Sequence, residues 1–266
     1  MKTNLIALIL VFCLLDLFIT NVTGQHKIIQ IDGITDATID IEGNIYVSTK
    51  RGTIIKFDSL FTELFTFASD DIIPLTSIDV SFHFRIFGFY QVNQSYFILD
   101  RHFKALFHGN FDTVTIGNGT AATYATDNSL WIFDDADLSL KKLNPTLNQI
   151  EVNIKLPLLI QAEEYLVNQL EAYQNRIFVN NYLHGIYVFD QFGNYLKKLP
   201  VSTNSKFTIY RESLIFIADA FLKSINIYSN EIVELGEIPD VKGLLKIILY
   251  DDNIYLIYPE SILQFN

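Results

Sequence analysis

A short apolar phrase returns along the chain, each time just after a polar or turn-forming residue. Its clearest copies are Asn44-Ile45-Tyr46-Val47, Arg176-Ile177-Phe178-Val179, Ser213-Leu214-Ile215-Phe216 and Asn253-Ile254-Tyr255-Leu256. A second apolar run follows, as in Gly52-Thr53-Ile54-Ile55-Lys56-Phe57-Asp58 and Gly185-Ile186-Tyr187-Val188-Phe189-Asp190. Weaker copies, Arg85-Ile86-Phe87-Gly88 and Ser129-Leu130-Trp131-Ile132, fill the gap between the first two. Read at the Ile/Leu position, the steps are 41, 44, 47, 37 and 40 residues, the length of one propeller blade. Between copies, short runs rich in Ile, Val, Phe and Tyr are punctuated by Asp, Asn, Gly and Ser, which is the grammar of strands and turns. The exception is 157–170, where a helical turn or an apolar-sided loop fits equally well.

Six blades can be laid out. Their strands fall at 37–41, 44–48, 53–57 and 64–68; at 77–80, 85–92, 96–99 and 105–107; and at 121–126, 130–133, 139–143 and 151–156. The later blades take 169–173, 176–180, 185–189 and 195–200; then 207–210, 214–218, 224–228 and 233–236; then 245–249, 253–257 and 261–265. The sixth blade is one strand short, while Lys27-Ile28-Ile29-Gln30-Ile31 belongs to no blade. Tying the two ends together removes the open edges of the ring. The expected fold is therefore all-β: a six-bladed β-propeller of four-stranded antiparallel blades, with the N-terminal strand closing the last blade.

The run from Asp36 through Gly43-Asn44-Ile45-Tyr46-Val47 to Ile55-Lys56-Phe57-Asp58 resembles the repeat of NHL-type propellers. So does the fourth blade, at Ile177-Phe178-Val179 and at Val188-Phe189-Asp190-Gln191-Phe192-Gly193-Asn194. The match is close in two blades and rhythmic across the rest, and the Pro-x-Gly that opens an NHL repeat is absent. The composition is also similar to that of the envelope propellers of Bacteroidota-like bacteria. Such motifs specify turns and core, so the resemblance implies a fold and leaves the activity open.

The chain begins with Lys2 in a short polar start, then an apolar stretch over residues 5–15, then Val22-Thr23-Gly24 ahead of Gln25. Signal peptidase reads that pattern, so residues 1–24 are expected to be removed and 25–266 to form one domain. Asp16 interrupts the apolar stretch, which falls short of the roughly 20 residues a spanning helix needs. The destination is then the periplasm, the outer-membrane surface or the exterior. Cys13 is the single cysteine and lies inside the signal; a mature chain without thiols has no disulfide, thiolate metal site or cysteine nucleophile. The formal net charge is −11, a sign that opposes nucleic acid and acidic lipid.

Enzymatic readings can be tested residue by residue. Peptidyl-hydroxyglycine lyase-like propellers hold a metal on the axis with histidines from equivalent blade positions. Here His26, His83, His102, His108 and His184 fall at inequivalent ones. Gluconolactonase-like and regucalcin-like propellers gather carboxylate and amide oxygens around a divalent ion. The inner-strand starts offer Asp36, Thr76, Asn118, Asn168, Lys206 and Lys246. Two lysines oppose a cation, whereas Asp36, Asn118 and Asn168 together form the one candidate calcium set. Asp134-Asp135-Ala136-Asp137 and Asp251-Asp252-Asn253 lack the oxygen spacing of a calcium loop and read as turns.

The leading expectation is a non-catalytic binding or scaffold module without a cofactor, with a protein partner, acting as an accessory subunit of an envelope assembly. The competing one is a metal-dependent lactonase or hydrolase, or a sugar binder, that uses the central channel. Glu163, Glu164, Tyr165 and Asn168 on the longest connection are expected contact residues, and Tyr165, Phe192 and Phe221 are expected to form the contact face from loops at the top of the blades.

Overall fold

The computed structural model describes residues 27–68, 72–80, 85–238, 240–251 and 253–265. The expected signal, with Cys13, His26, His83 and Asp252, lies outside them. Among the described residues, twenty-four strands form six antiparallel four-stranded sheets. Blade 1 holds β2 (Ile34–Ile39), β3 (Ile45–Thr49), β4 (Ile54–Phe57) and β5 (Glu63–Phe67). Blade 2 holds β6 (Ser77–Asp79), β7 (Ile86–Tyr90), β8 (Ser95–Leu99) and β9 (Ala105–Asn110). Blade 3 holds β10 (Gly119–Tyr124), β11 (Leu130–Asp134), β12 (Ser139–Asn144) and β13 (Gln149–Lys155). Blade 4 holds β14 (Val167–Tyr173), β15 (Arg176–Asn181), β16 (Gly185–Asp190) and β17 (Tyr195–Leu199). Blade 5 holds β18 (Thr208–Tyr210), β19 (Ser213–Ala218), β20 (Phe221–Asn226) and β21 (Ile232–Glu237). Blade 6 holds β22 (Lys246–Tyr250), β23 (Asn253–Ile257), β24 (Ser261–Phe265) and, from the other end of the chain, β1 (Lys27–Gln30).

This is a six-bladed β-propeller. The closure expected from the orphan strand is present: Lys27 pairs with Gln264, Ile28 with Leu263, Ile29 with Ile262 and Gln30 with Ser261.

The returning phrase forms the second strand of every blade, and its alternation explains the ring. In β3, Ile45 and Val47 pack against blade 6 while Tyr46 packs against blade 2. In β11, Leu130 and Ile132 face blade 2 while Trp131 and Phe133 face blade 4. In β15, Ile177 and Val179 face blade 3 while Phe178 faces blade 5. Successive strand residues point to opposite faces, and here both faces meet a neighbouring sheet. The phrase is therefore apolar at every position instead of alternating with polar residues. Outer strands such as β5, β9 and β21 are largely exposed.

The weakest copy has a steric cause. A Cβ on Gly88 would lie 2.1 Å from the Phe97 ring, which fills the same space against Phe67 and Tyr90. In the segment around 157–170, one helical turn forms over α1 (Leu156–Leu159).

Connectivity sorts the loops to two ends of the ring. The upper face carries the blade-to-blade connections and the turns between second and third strands. The lower face carries the other two turns of each blade. On the lower face, Asp58, Asp100 and Asp190 each accept two backbone N–H groups, from the residues two and four ahead. Asp40 accepts from Glu42 and Asn44 in the same way. The Phe-Asp motif of the third strand is thus a turn clamp, with its carboxylate already engaged.

Candidate functional site

Two places in the ring concentrate polar side chains: the axis and one sector of the upper face.

Around the axis, the innermost strands place Asp36, Ser77, Ala121, Gln169 and Lys246 opposite the same register position of their second strands. Two residues further, Asp79, Thr123, Glu171 and Thr208 form a second tier, opposite Phe87, Trp131, Phe178 and Ile215. The Asp36 carboxylate lies 2.6 Å from Lys206 Nζ and 3.7 Å from Lys246 Nζ. It also accepts the Ala37 N–H at 2.9 Å. Burial alone would raise the Asp36 pKa, but the two lysine charges and the Lys206 hydrogen bond outweigh it and hold the carboxyl below its usual range. Lys206 donates further to the Thr76 carbonyl at 2.8 Å.

Glu171 is opposite in character. Burial foremost, and then the charge of Asp79, push its pKa up to about 7, with Lys246 and a hydrogen bond from Gln169 pulling the other way. Gln169 crosses to blade 5 by a paired contact with Phe207, donating to its carbonyl at 3.0 Å and accepting its N–H at 2.9 Å. The space these groups enclose is about 20 Å³, room for about one water.

The sequence pattern located Asp36, Lys206 and Lys246 but put Thr76, Asn118 and Asn168 where Ser77, Ala121 and Gln169 stand. Bulges between Gly119 and Ala121 and between Val167 and Gln169 displace two of these starts. A bulge adds a residue that strand alternation cannot reveal. Glu171 and Asp79 were missed; counting back from the phrase across the intervening turn would have found them.

The proposed calcium set does not assemble. Asn118 is absent from the cavity lining, and its N–H is bound to Asp134. Asn168 accepts from Asn180 Nδ2 at 2.8 Å and donates to the Asn204 carbonyl at 3.1 Å. Asp36 is committed to its lysines. Among the described residues no group of three or more His, Cys, Asp or Glu side chains is placed to hold a metal ion. Asp134 likewise serves the fold, pairing with Lys141 at 2.6 Å and accepting the N–H groups of Gly117, Asn118 and Ala136.

On the upper face, a groove of about 530 Å³ runs between blades 4, 5 and 6. Its walls are Tyr182, the loop 202–205, the turn Asp219-Ala220 and Val241, over Ile217, Ala218 and Leu244. Glu163 and Glu164 are exposed beside it, where the Glu164 carbonyl accepts from Asn181 Nδ2 at 2.9 Å. Tyr165 is half-buried, its hydroxyl turned back onto the Ile160 carbonyl and its ring on the core of blades 3 and 4. Phe221 opens β20 instead of sitting in a loop, because Asp219 and Ala220 make a two-residue turn with φ of +56° and +67°. Phe192 is separated from the others: it projects from the lower-face turn of blade 4, 69 % exposed. Five of the six expected contact residues thus share the upper end. No sequence signal predicted the groove, which is built by loops from three blades.

No protein-family profile matches the chain, and no curated protein sequence matches it. Solved structures do. Virginiamycin B lyase from Staphylococcus aureus is similar over 91% of this chain and 99% of its own, at 10% identity and a TM-score of 0.61. The propeller domain of Cps50 (Swd1) from Myceliophteria thermophila aligns over 92% and 98%, at 12% identity and a TM-score of 0.65. BamB from Moraxella catarrhalis aligns over 88% and 83%, at 13% identity and a TM-score of 0.51. The likeness is one of fold, and it bears out the propeller resemblance read from the repeats. Among the described residues no helix is long and apolar enough to cross a membrane.

Proposed function

We propose that the protein is an exported, non-catalytic binding module that docks a partner protein on the upper face of the ring, as an accessory subunit of an envelope assembly. The contrast between its two polar places carries this reading. The axis encloses about 20 Å³ around mutually paired charges, whereas the upper-face groove opens about 530 Å³. Ligand sites of small molecules occupy some 300–1,000 Å³, a size that the groove reaches and the space around Asp36 and Glu171 does not. The fold likeness to BamB and to a Cps50 propeller domain supports a scaffold role, as does the N-terminal export pattern for the location.

The test uses the full chain, tagged at its C-terminus in its own cells. The mature mass should lack residues 1–24. A stoichiometric partner retained by the wild type should be lost from Glu163→Lys/Glu164→Lys/Asp240→Lys and kept by Glu212→Lys on the lower face. Equal retention by the upper-face variant would refute the docking face, and a chain of full length in the cytoplasm would refute export.

A further inference from the structure

The groove between blades 4, 5 and 6 carries chemistry that narrows its occupant. Its wall at 202–205 is an irregular stretch lying between β17 and β18. The N–H groups of Ser202, Thr203, Asn204 and Ser205 find no acceptor among the described residues. Ser202 and Asn204 are exposed. The wall is nonetheless fixed, because Asn180 Nδ2 holds the Thr203 carbonyl at 3.2 Å and Asn168 Nδ2 holds the Asn204 carbonyl at 3.1 Å.

Behind it stand two acceptors in deficit. Asn180 and Asn181 are 0% and 1% exposed, and the Oδ1 atom of each is buried without a hydrogen-bond partner among the described residues. Buried polar atoms are seldom left so. The Asn180 amide bears directly on Thr203, and Asn181 precedes Tyr182, so both lie against lining residues of the groove. The facing wall is the turn Asp219-Ala220, in which Ala220 holds φ at +67° without being glycine. Asp219 is 89% exposed there, in loose contact with Lys223 at 3.6 Å.

We infer that this groove binds an extended peptide segment of the partner through its main chain, with a Lys or Arg side chain reaching Asp219. The inference rests on the docking-face reading above and names its occupant. Unpartnered main-chain donors at the exposed Ser202 and Asn204, on a fixed wall, suit the carbonyls of an extended segment, as in strand addition. A helix keeps its carbonyls to itself and leaves them idle. Ile217, Ala218 and Leu244 form an apolar base for one side chain of the segment. Asp219, the one carboxylate in the groove lining, selects a basic residue and repels acidic ones.

The probe is a phage-displayed random 12-residue library panned on the full chain, with the enriched peptides synthesised and titrated calorimetrically. Lys/Arg-enriched peptides that bind the wild type, and bind Asp219→Lys and Ser202→Trp about tenfold or more weakly, support the inference. Glu212→Lys on the lower face should bind them as the wild type does. Melting profiles of all three variants should match the wild type, so that a loss reports the groove and not unfolding. Peptides without basic enrichment, peptides indifferent to Ser202→Trp, or no enrichment at all would overturn it. If the native partner still distinguishes the Glu163/Glu164/Asp240 triple variant, the docking face survives and only the groove occupant is wrong. If it does not, the docking-face reading falls as well.

Discussion

Glu171 offers the sharpest test of the axial electrostatics. Its carboxyl titrates near 7 in the folded ring against an ordinary value of 4.5. Between those values the native state keeps a proton that the unfolded chain has released. Stability therefore falls as pH rises through this window and levels off above it. At 1.36 kcal/mol per pH unit of displacement, the full cost above pH 8 is about 3 kcal/mol. Glu171→Gln removes the titration and keeps a carbonyl oxygen to accept from Gln169 Nε2, which now donates to the carboxylate at 3.3 Å. It also relieves the repulsion from Asp79. The variant should match the wild type closely at pH 5.0 and exceed it at pH 8.5, the difference in unfolding free energy growing by about 2.5 kcal/mol between the two. In melting temperature that is about 5–10 °C at this chain length. Urea denaturation of both proteins at the two pH values measures the double difference. Parallel wild-type and variant stabilities across the range would refute the buried, proton-holding environment of Glu171.

The paired charges above it make the opposite kind of prediction. Lys206→Met strands the Asp36 carboxylate with only the more distant Lys246, and urea titration should show a loss of about 3 kcal/mol. Adding Asp36→Asn should restore most of it; a neutral single variant would mean the pair is solvated. Gly88→Ala drives a methyl into the Phe97 ring and should cost about 1–3 kcal/mol in the same assay, whereas a clear gain would show that Phe97 has room to move. Ala220→Gly relieves a left-handed turn position and should raise stability by about 1 kcal/mol, with a drop speaking against the strained turn. Deleting residues 27–30 leaves the outer edge of β24 unpaired and should convert a sharp melting transition into a lower, broader one by calorimetry; an unchanged transition would remove the closure from the account of stability.

Much of the ring was legible because its signals are local. Turn residues such as Asp58 and Asp190 act on N–H groups two and four residues away, and the phrase Ile45-Tyr46-Val47 buries both faces wherever it occurs. Strand count, blade order and the closing role of residues 27–30 followed from those patterns alone. The inner-strand starts were read less well, since a bulge at Gly119 or Val167 shifts the register without altering the composition. Phe192 lies at the other end of the ring for a related reason: alternation says where strands run, while the end at which a turn emerges depends on its parity within the blade. Phe221 is at the expected end but opens a strand, because the turn before it needs only two residues.

The sequence by itself determined the architecture, because blade repeats are built from contacts within about 40 residues and from turn chemistry that each copy carries in full. Only the tertiary structure decided what the polar residues do. Asp36 meets Lys206 across 170 positions of chain, Glu171 is raised by burial in the ring and then by Asp79 from another blade, and the groove joins Tyr182, Ser202, Asp219 and Val241 from three blades. Charges acquire partners and surfaces acquire shape when the ring closes. Distances across the ring bear no relation to distances along the chain.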